Sequence, residues 1–199
     1  ARNNKLMVVG GTIPLISRPA RTTTDTPDII EGKRVRPACL VFDAAGKQIA
    51  RYDKMHLFDV MVDDKQAKYS ESRSFEAGTE IVSLDTTLGV LGLTVCYDLR
   101  FPELYRELFR RGAEIVTVPA AFTMVTGAAH WESLLRARAI ENQCYIIAAG
   151  QGGRHNEKRE TWGHSMVISP WGSILSQVDE GEGIALAEID LDYLKEIRT

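Results

Sequence analysis

The chain is short of cysteine, of net charge and of long apolar runs, and each shortage removes a class of protein. Its three cysteines, Cys39, Cys96 and Cys144, are an odd number set far apart with no C-x-x-C pair. That argues against a disulfide framework and against a thiolate zinc site. The four histidines, His56, His130, His155 and His164, never take the i, i+4 spacing of H-E-x-x-H, and "HWES" matches it only superficially, so no metal is expected. A formal net charge of -3, with basic residues scattered along the chain, leaves no electrostatic footprint for nucleic acid. No apolar run approaches the ~20 residues that span a bilayer. The amino end "ARNNKLMVVGG" lacks the order of a secretory signal, so no membrane partner is expected and the chain reads as cytoplasmic. "GQGGRHNEK" clusters glycines without a Gly-Lys-Ser/Thr ending, which leaves phosphate binding unsupported. No internal repeat is visible.

What is present suits one ordinary domain over residues 1–199, because 44% hydrophobic residues among 199 can bury a sizeable core. Short stretches rich in β-branched residues recur: "KLMVVGGTI", "ACLVFD", "QIARYDK", "EIVSLD", "GVLGLTVC", "EIVTVPA", "CYIIAAG", "HSMVISP", "GSILSQV" and "GIALAEID". Their lengths and their Gly, Pro and Asp boundaries predict strands. "FDAAGKQ" and "ISPWGSIL" read as hairpin turns and so imply antiparallel pairs. Two helices are predicted between strands. "PELYRELFRRG" carries Pro102 and Glu103 in its first turn, Arg110 and Arg111 in its last and Gly112 as its stop, with Leu104 and Leu108 facing inward. "AAHWESLLRARAIENQC" repeats apolar positions at Leu134, Ala137, Ile140 and Cys144. Together these predict an α/β fold whose sheets are covered by helices. "SRPARTTTDTPDIIEGKRVRP" is polar and aperiodic and reads as a long mobile loop, and a second irregular region, "FDVMVDDKQAKYSESRSFEAGTE", follows Lys54.

Two residues stand out chemically. In "GLTVCYDLRFPEL", Cys96 ends a predicted buried strand just before a helix, the place where open α/β sheets form ligand crevices and where thiolates are favoured. A free cysteine is equally at home as a small hydrophobe, the reading given to Cys39 and Cys144. Lys54, in "ARYDKMHLFDV", stands among large apolar groups, where a lysine is either paired and used or merely turned to the surface.

Taken in order, "YDKMHLFDV", "YSES", "GLTVCYDLRFPEL", "VPAAFTMVTGAAHWE", "RARAIENQCYIIAAGQ", "GHSMVISPWG" and "DLDYLKEIR" resemble the nitrilase-related carbon–nitrogen hydrolases. "CYD", in place of the tryptophan and glutamate that follow the cysteine in nitrilases proper, points to the amidase branch. Within it the segment from Arg136 to Gly172 is similar to amidases acting on deaminated glutathione. The ω-amidases, which act on 2-oxo-dicarboxylic acid monoamides, come second. The resemblance implies a four-layer α-β-β-α sandwich with two mixed sheets, a homodimer or higher homo-oligomer, a small-molecule amide as substrate and no cofactor. It implies Cys96 as the nucleophile that forms a thioester with loss of ammonia, and Lys54 with the backbone N–H of Tyr97 as the oxyanion partners. Glu71 would be the carboxylate that holds the lysine; without the resemblance it would read as a solvated loop acid. Phe122, Thr123 and Arg100 are expected to shape or flank the substrate pocket, with an ion pair from Arg100 to Asp98 or Glu103 an equal alternative. Asp98 and His130 are assigned supporting parts at most.

One part of the pattern has no counterpart. The family uses a glutamate well upstream of the lysine as general base, whereas Asp25, Asp28, Glu31, Asp43 and Asp53 are the acids before Lys54 and none sits after an apolar strand in the "PE" context that the resemblance requires. The chain is therefore expected to begin after the first strand, helix and glutamate of the fold and to be short at its carboxyl end. Two classes follow, an amidase whose base lies outside these residues and a non-catalytic relative that serves as an interaction subunit.

Overall fold

A computed structural model describes residues 1–20, 27–30 and 32–199. A six-stranded mixed sheet forms its centre, in the order β13-β12-β9-β8-β7-β6. The three middle strands, β7 (Gly89–Leu93), β8 (Ile115–Thr117) and β9 (Tyr145–Ala148), run parallel. They are flanked by antiparallel partners, β6 (Ser83–Thr86) on one side and β12 (Met166–Ile168) with β13 (Ile174–Gln177) on the other. A second sheet, β1 (Val8–Leu15), β2 (Arg36–Phe42) and β3 (Gln48–Asp53), is antiparallel throughout; of the two sheets expected to be mixed, only the larger is. Two small hairpins, β4 (Asp59–Met61) with β5 (Lys68–Ser70) and β10 (Gly152–Arg154) with β11 (Glu160–Trp162), complete the strands. None of these four was predicted, because three-residue strands carry no readable alternation.

Parallel neighbours need crossovers, and the helices α1 (Pro102–Arg110) and α2 (Met124–Asn142) supply them. α1 has the predicted Pro102 start and buries Leu104 and Leu108. α2 begins four residues before the expected Ala128, because Thr123 caps it: its hydroxyl accepts the Thr126 N–H at 3.2 Å. Its inward face also differs from the predicted stripe. Trp131, Leu135, Arg138, Ala139 and Asn142 are buried while Ile140 is half exposed. The cause is a buried cation within the helix face. Arg138 donates twice to the Leu99 carbonyl, at 3.0 and 2.9 Å, and lies over the Tyr105 ring, so polar letters in the sequence concealed the true apolar side.

Two cores result. One lies between the large sheet and the helices, where Leu108, Trp131 and Leu135 meet Val116, Ile146 and Ile168. The other lies between the two sheets, where Cys39, Val41 and Tyr52 meet Leu91, Leu93, Ile115 and Tyr145. Each fully buried large side chain contributes about 1.5–3 kcal/mol. A third helix, α3 (Leu191–Arg198), is capped by Asp190 and buries Leu194 in the second core. The strand predicted for "GIALAEID" does not form; a strand requires a paired neighbour. Ile184 and Leu186 stand 82% and 78% exposed, and Leu186 N–H donates to the Ser176 hydroxyl. The predicted long loop from Ser17 falls partly outside the described residues. Its described flanks are paired through a Ser17–Ile29 bridge, with Arg18 N–H donating to the Asp28 carbonyl at 2.8 Å.

Candidate active site

A cleft of about 640 Å³ opens at the carboxyl ends of the parallel strands, and Cys96, Lys54 and Glu71 line it together. β7 ends in Thr94 and Val95, and the chain then turns sharply into a 3-10 turn, Cys96–Arg100. Cys96 makes that turn in the left-handed region, with φ 51°. Its amide donates to the Pro119 carbonyl at 2.9 Å, which ties the turn to the end of β8. The Ala121 N–H points at its sulfur. Burial pushes the thiol up, and the charge of Lys54 pulls it partly back.

Lys54 follows β3 and is 2% exposed. Its backbone is pinned on both sides, the N–H donating to the Pro37 carbonyl at 2.9 Å and the carbonyl accepting the Gly78 N–H at 2.8 Å. Gly78 has no room for a side chain, since a Cβ there would stand 2.2 Å from the Asp53 carbonyl oxygen. The ammonium donates to Glu71 Oε2 at 2.5 Å, and the same oxygen accepts the Phe58 N–H at 2.6 Å. A buried ammonium without a partner is untenable, and Glu71 supplies one while leaving Lys54 at the wall of the cleft.

Asp98, given a supporting part at most from sequence, is fully buried and organises both halves. Oδ2 accepts the Tyr52 hydroxyl at 2.7 Å and the Val95 N–H at 2.8 Å. Oδ1 accepts the His56 N–H at 3.1 Å and faces His56 Nδ1 at 2.7 Å. One carboxylate therefore joins the strand that carries Lys54 to the turn that carries Cys96. Its one readable signal was a carboxylate two residues beyond an apolar strand end.

Tyr97, Phe122 and Thr123 line the cleft as expected. The Tyr97 N–H donates to no acceptor among the described residues, as suits the first turn of a helix. Arg100 does not line the cleft. Its guanidinium lies over the rings of Tyr97 and Phe122 and reaches His130 Nδ1 at 3.2 Å, so it braces two lining rings from behind and pairs with neither Asp98 nor Glu103. Sequence reasoning missed Tyr69 and Arg159, brought to the rim by the two small hairpins. Among the described residues no group of three or more His, Cys, Asp or Glu is arranged to hold a metal, and no helix is long and apolar enough to cross a membrane.

The carbon–nitrogen hydrolase model matches residues 1–199. The chain belongs to the carbon–nitrogen hydrolase family. Deaminated glutathione amidase of Yersinia enterocolitica is 48% identical over 198 residues, covering all of this chain and 65% of that protein. The Caenorhabditis elegans NitFhit structure, of a nitrilase and fragile histidine triad fusion protein, superposes with a TM-score of 0.85 at 42% identity, over 99% of this chain and 45% of that one. A mutant amidase from Nesterenkonia sp. AN1, whose active-site cysteine carries acrylamide by Michael addition, superposes with a TM-score of 0.75 at 27% identity, over 98% of this chain and 67% of that one. The family member described here thus spans about two thirds or less of the length of these relatives.

Proposed function

We propose that this carbon–nitrogen hydrolase is an amidase that cleaves deaminated glutathione through a Cys96 thioester. The observation that carries the reading is Lys54, buried at 2% exposure and held by Glu71 in the cleft that Cys96 lines. A non-catalytic subunit has no use for so costly an arrangement.

An amide resists attack, so the site must supply a nucleophile, charge for the oxyanion and a proton for the leaving nitrogen. The Cys96 sulfur attacks the carbonyl carbon. Lys54 and the Tyr97 N–H take the negative charge that grows on oxygen, and the C–N bond breaks to leave a thioester, which water then hydrolyses. Deaminated glutathione is an N-substituted amide, so the group that departs is the amine of a dipeptide rather than ammonia. Attack releases the thiol's proton and departure of the amine takes one up, so the step needs a base that carries it from sulfur to nitrogen. Among the described residues the cleft holds two carboxylates, Glu71 and Glu160. Glu71 is engaged by Lys54 and Phe58, and Glu160 stands exposed at the rim. The family resemblance assigns the base to a glutamate upstream of Lys54, a place that neither of these two carboxylates occupies.

The same reading takes the protein to be a cytoplasmic homodimer. Three free cysteines support the first part, and the exposed Val8, Ile13 and Ile49 of the three-stranded sheet support the second. The test is kcat/KM for deaminated glutathione against 2-oxoglutaramate in the full-length protein. A clear preference for 2-oxoglutaramate moves the assignment to ω-amidase, and no turnover of either refutes it.

A further inference from the structure

The cleft contains a second cation whose task the hydrolysis does not supply. Arg159 lines the rim from the turn that leads into β11. Its backbone is fixed three ways: the N–H donates to Asn156 Oδ1 at 2.9 Å, and the carbonyl accepts the His155 and Asn156 N–H groups at 2.9 and 3.3 Å. The strand that follows is anchored in turn, because the buried Thr161 bridges to Thr123 at the start of α2 and its hydroxyl meets His155 Nε2 at 2.6 Å. By contrast the Arg159 guanidinium makes no hydrogen bond or ion pair with any described residue. Across the rim stands Tyr69, whose hydroxyl donates to Asp64 at 2.8 Å. Burial and Asp64 push that phenol up to about 12 while the charge of Arg159 holds it back, so the guanidinium is close enough to be felt. The acid of the same hairpin that also lines the cleft, Glu160, stands exposed and makes no ion pair with the Arg159 guanidinium.

Lys54 and Arg159 therefore differ in kind. Lys54 is neutralised by Glu71 and lies at the reacting end, whereas Arg159 presents five donors on a fixed support with none committed. A guanidinium fork matches a carboxylate bidentately. We infer that Arg159 is a specificity-determining residue that grips a carboxylate of the substrate remote from the scissile amide, so that the enzyme selects anionic amides over neutral ones of similar length. The inference rests on the amidase reading for the scissile bond and adds to it the charge of the substrate. Deaminated glutathione offers such a group on both sides of that bond, a 2-oxo acid on the acyl side and a glycine carboxylate on the amine side.

The test uses the full-length enzyme with three amides: deaminated glutathione, 2-oxoglutaramate, which keeps only the acyl-side carboxylate, and neutral butyramide. Arg159→Gln is expected to lower the ratio of kcat/KM for deaminated glutathione to that for butyramide by about ten- to a hundredfold, the worth of a charge-assisted hydrogen bond, with the loss carried by KM. Arg159→Lys should recover part of it, since the charge returns without the fork. If the ratio for 2-oxoglutaramate falls in step, the acyl-side carboxylate is the one held; if it does not, the amine-side carboxylate is. An unchanged ratio for both anions overturns the inference. Should the wild type cleave none of the three, the amidase reading fails by itself. Arg159 is then judged by calorimetric binding of deaminated glutathione to Cys96→Ala with and without Arg159→Gln, where equal affinities overturn it.

Discussion

Replacing Asp98 by asparagine changes one atom in the interior and tests whether the two halves of the cleft are held by a single carboxylate. Each Asp98 oxygen faces one backbone N–H and one side-chain group: Val95 N–H with the Tyr52 hydroxyl on Oδ2, His56 N–H with its own Nδ1 on Oδ1. A hydroxyl can rotate and an imidazole can change tautomer, but a peptide N–H cannot become an acceptor. Whichever way the asparagine amide is turned, its NH2 therefore confronts one buried peptide N–H. Orphaning that donor costs about 1–3 kcal/mol, and the bonds that remain lose their charge assistance. The expected loss is about 3 kcal/mol, which for a chain of this size lowers Tm by about 6–12 °C. The damage falls at the joint between Lys54 and Cys96, so kcat should drop by about a hundredfold, the usual result of misplacing reacting groups by about an ångström. KM should change far less, because the rim does not depend on Asp98. Scanning calorimetry and steady-state kinetics on the folded variant read both effects. A Tm within about 2 °C of wild type with kcat intact would refute the reasoning, and a stability loss with kcat intact would reduce Asp98 to packing.

Three further outcomes are expected. Brief iodoacetamide treatment followed by peptide mapping should label Cys96, which lines the cleft, before Cys39 and Cys144, which are buried in the two cores; equal labelling of all three would remove Cys96 as nucleophile. Lys54→Met keeps the length of the chain but deletes the oxyanion partner of the proposed reaction, so turnover should fall by about a hundred- to a thousandfold with the fold retained by circular dichroism, and near-normal turnover would make the lysine a packing residue. Acid stability should depend on Glu76, whose carboxyl the Arg18 guanidinium, helped by Arg36, holds down at about 2 despite opposing desolvation. A carboxylate depressed in the folded state stabilises it above the unfolded pKa, and that contribution is lost as pH falls from about 4.5 toward 2. Glu76→Gln should therefore flatten the decline of Tm over that range, and an unchanged pH profile would contradict the ion cluster.

Elements with strong local grammar were legible. The Asp43–Gly46 turn, where Gly46 N–H donates to the Asp43 carbonyl at 2.9 Å, joins β2 to β3 as "FDAAGKQ" implied, and α1 starts and stops where Pro102 and Gly112 place it. Cys96, Lys54 and Glu71 meet in one cleft because ordered motifs, rather than any periodicity, marked them. What escaped depended on partners distant in sequence. Arg138 is inward only because the Leu99 carbonyl lies 39 residues away in the chain, and Asp98 is central only because Tyr52 and His56 arrive from another sheet. "GIALAEID" has a strand's alternation, yet pairing is a property of neighbours, and none of the described backbone pairs with it. Arg159 carried no signal at all, since a lone arginine between charged residues reads as solvated surface until a hairpin delivers it to a rim.

The left-handed turn at Cys96 sets chemistry against durability at a single position. A side chain bearing a Cβ is held there at roughly 1–3 kcal/mol above an ordinary conformation, and under the proposed function the thiol is the one group that cannot be exchanged. Glycine or asparagine would tolerate the same backbone more readily. A laboratory selection that rewards heat resistance alone should therefore drift toward those residues at position 96 and recover robust, inert protein. Any effort to harden this protein without losing the proposed activity must score turnover in every round and seek its gains elsewhere in the chain.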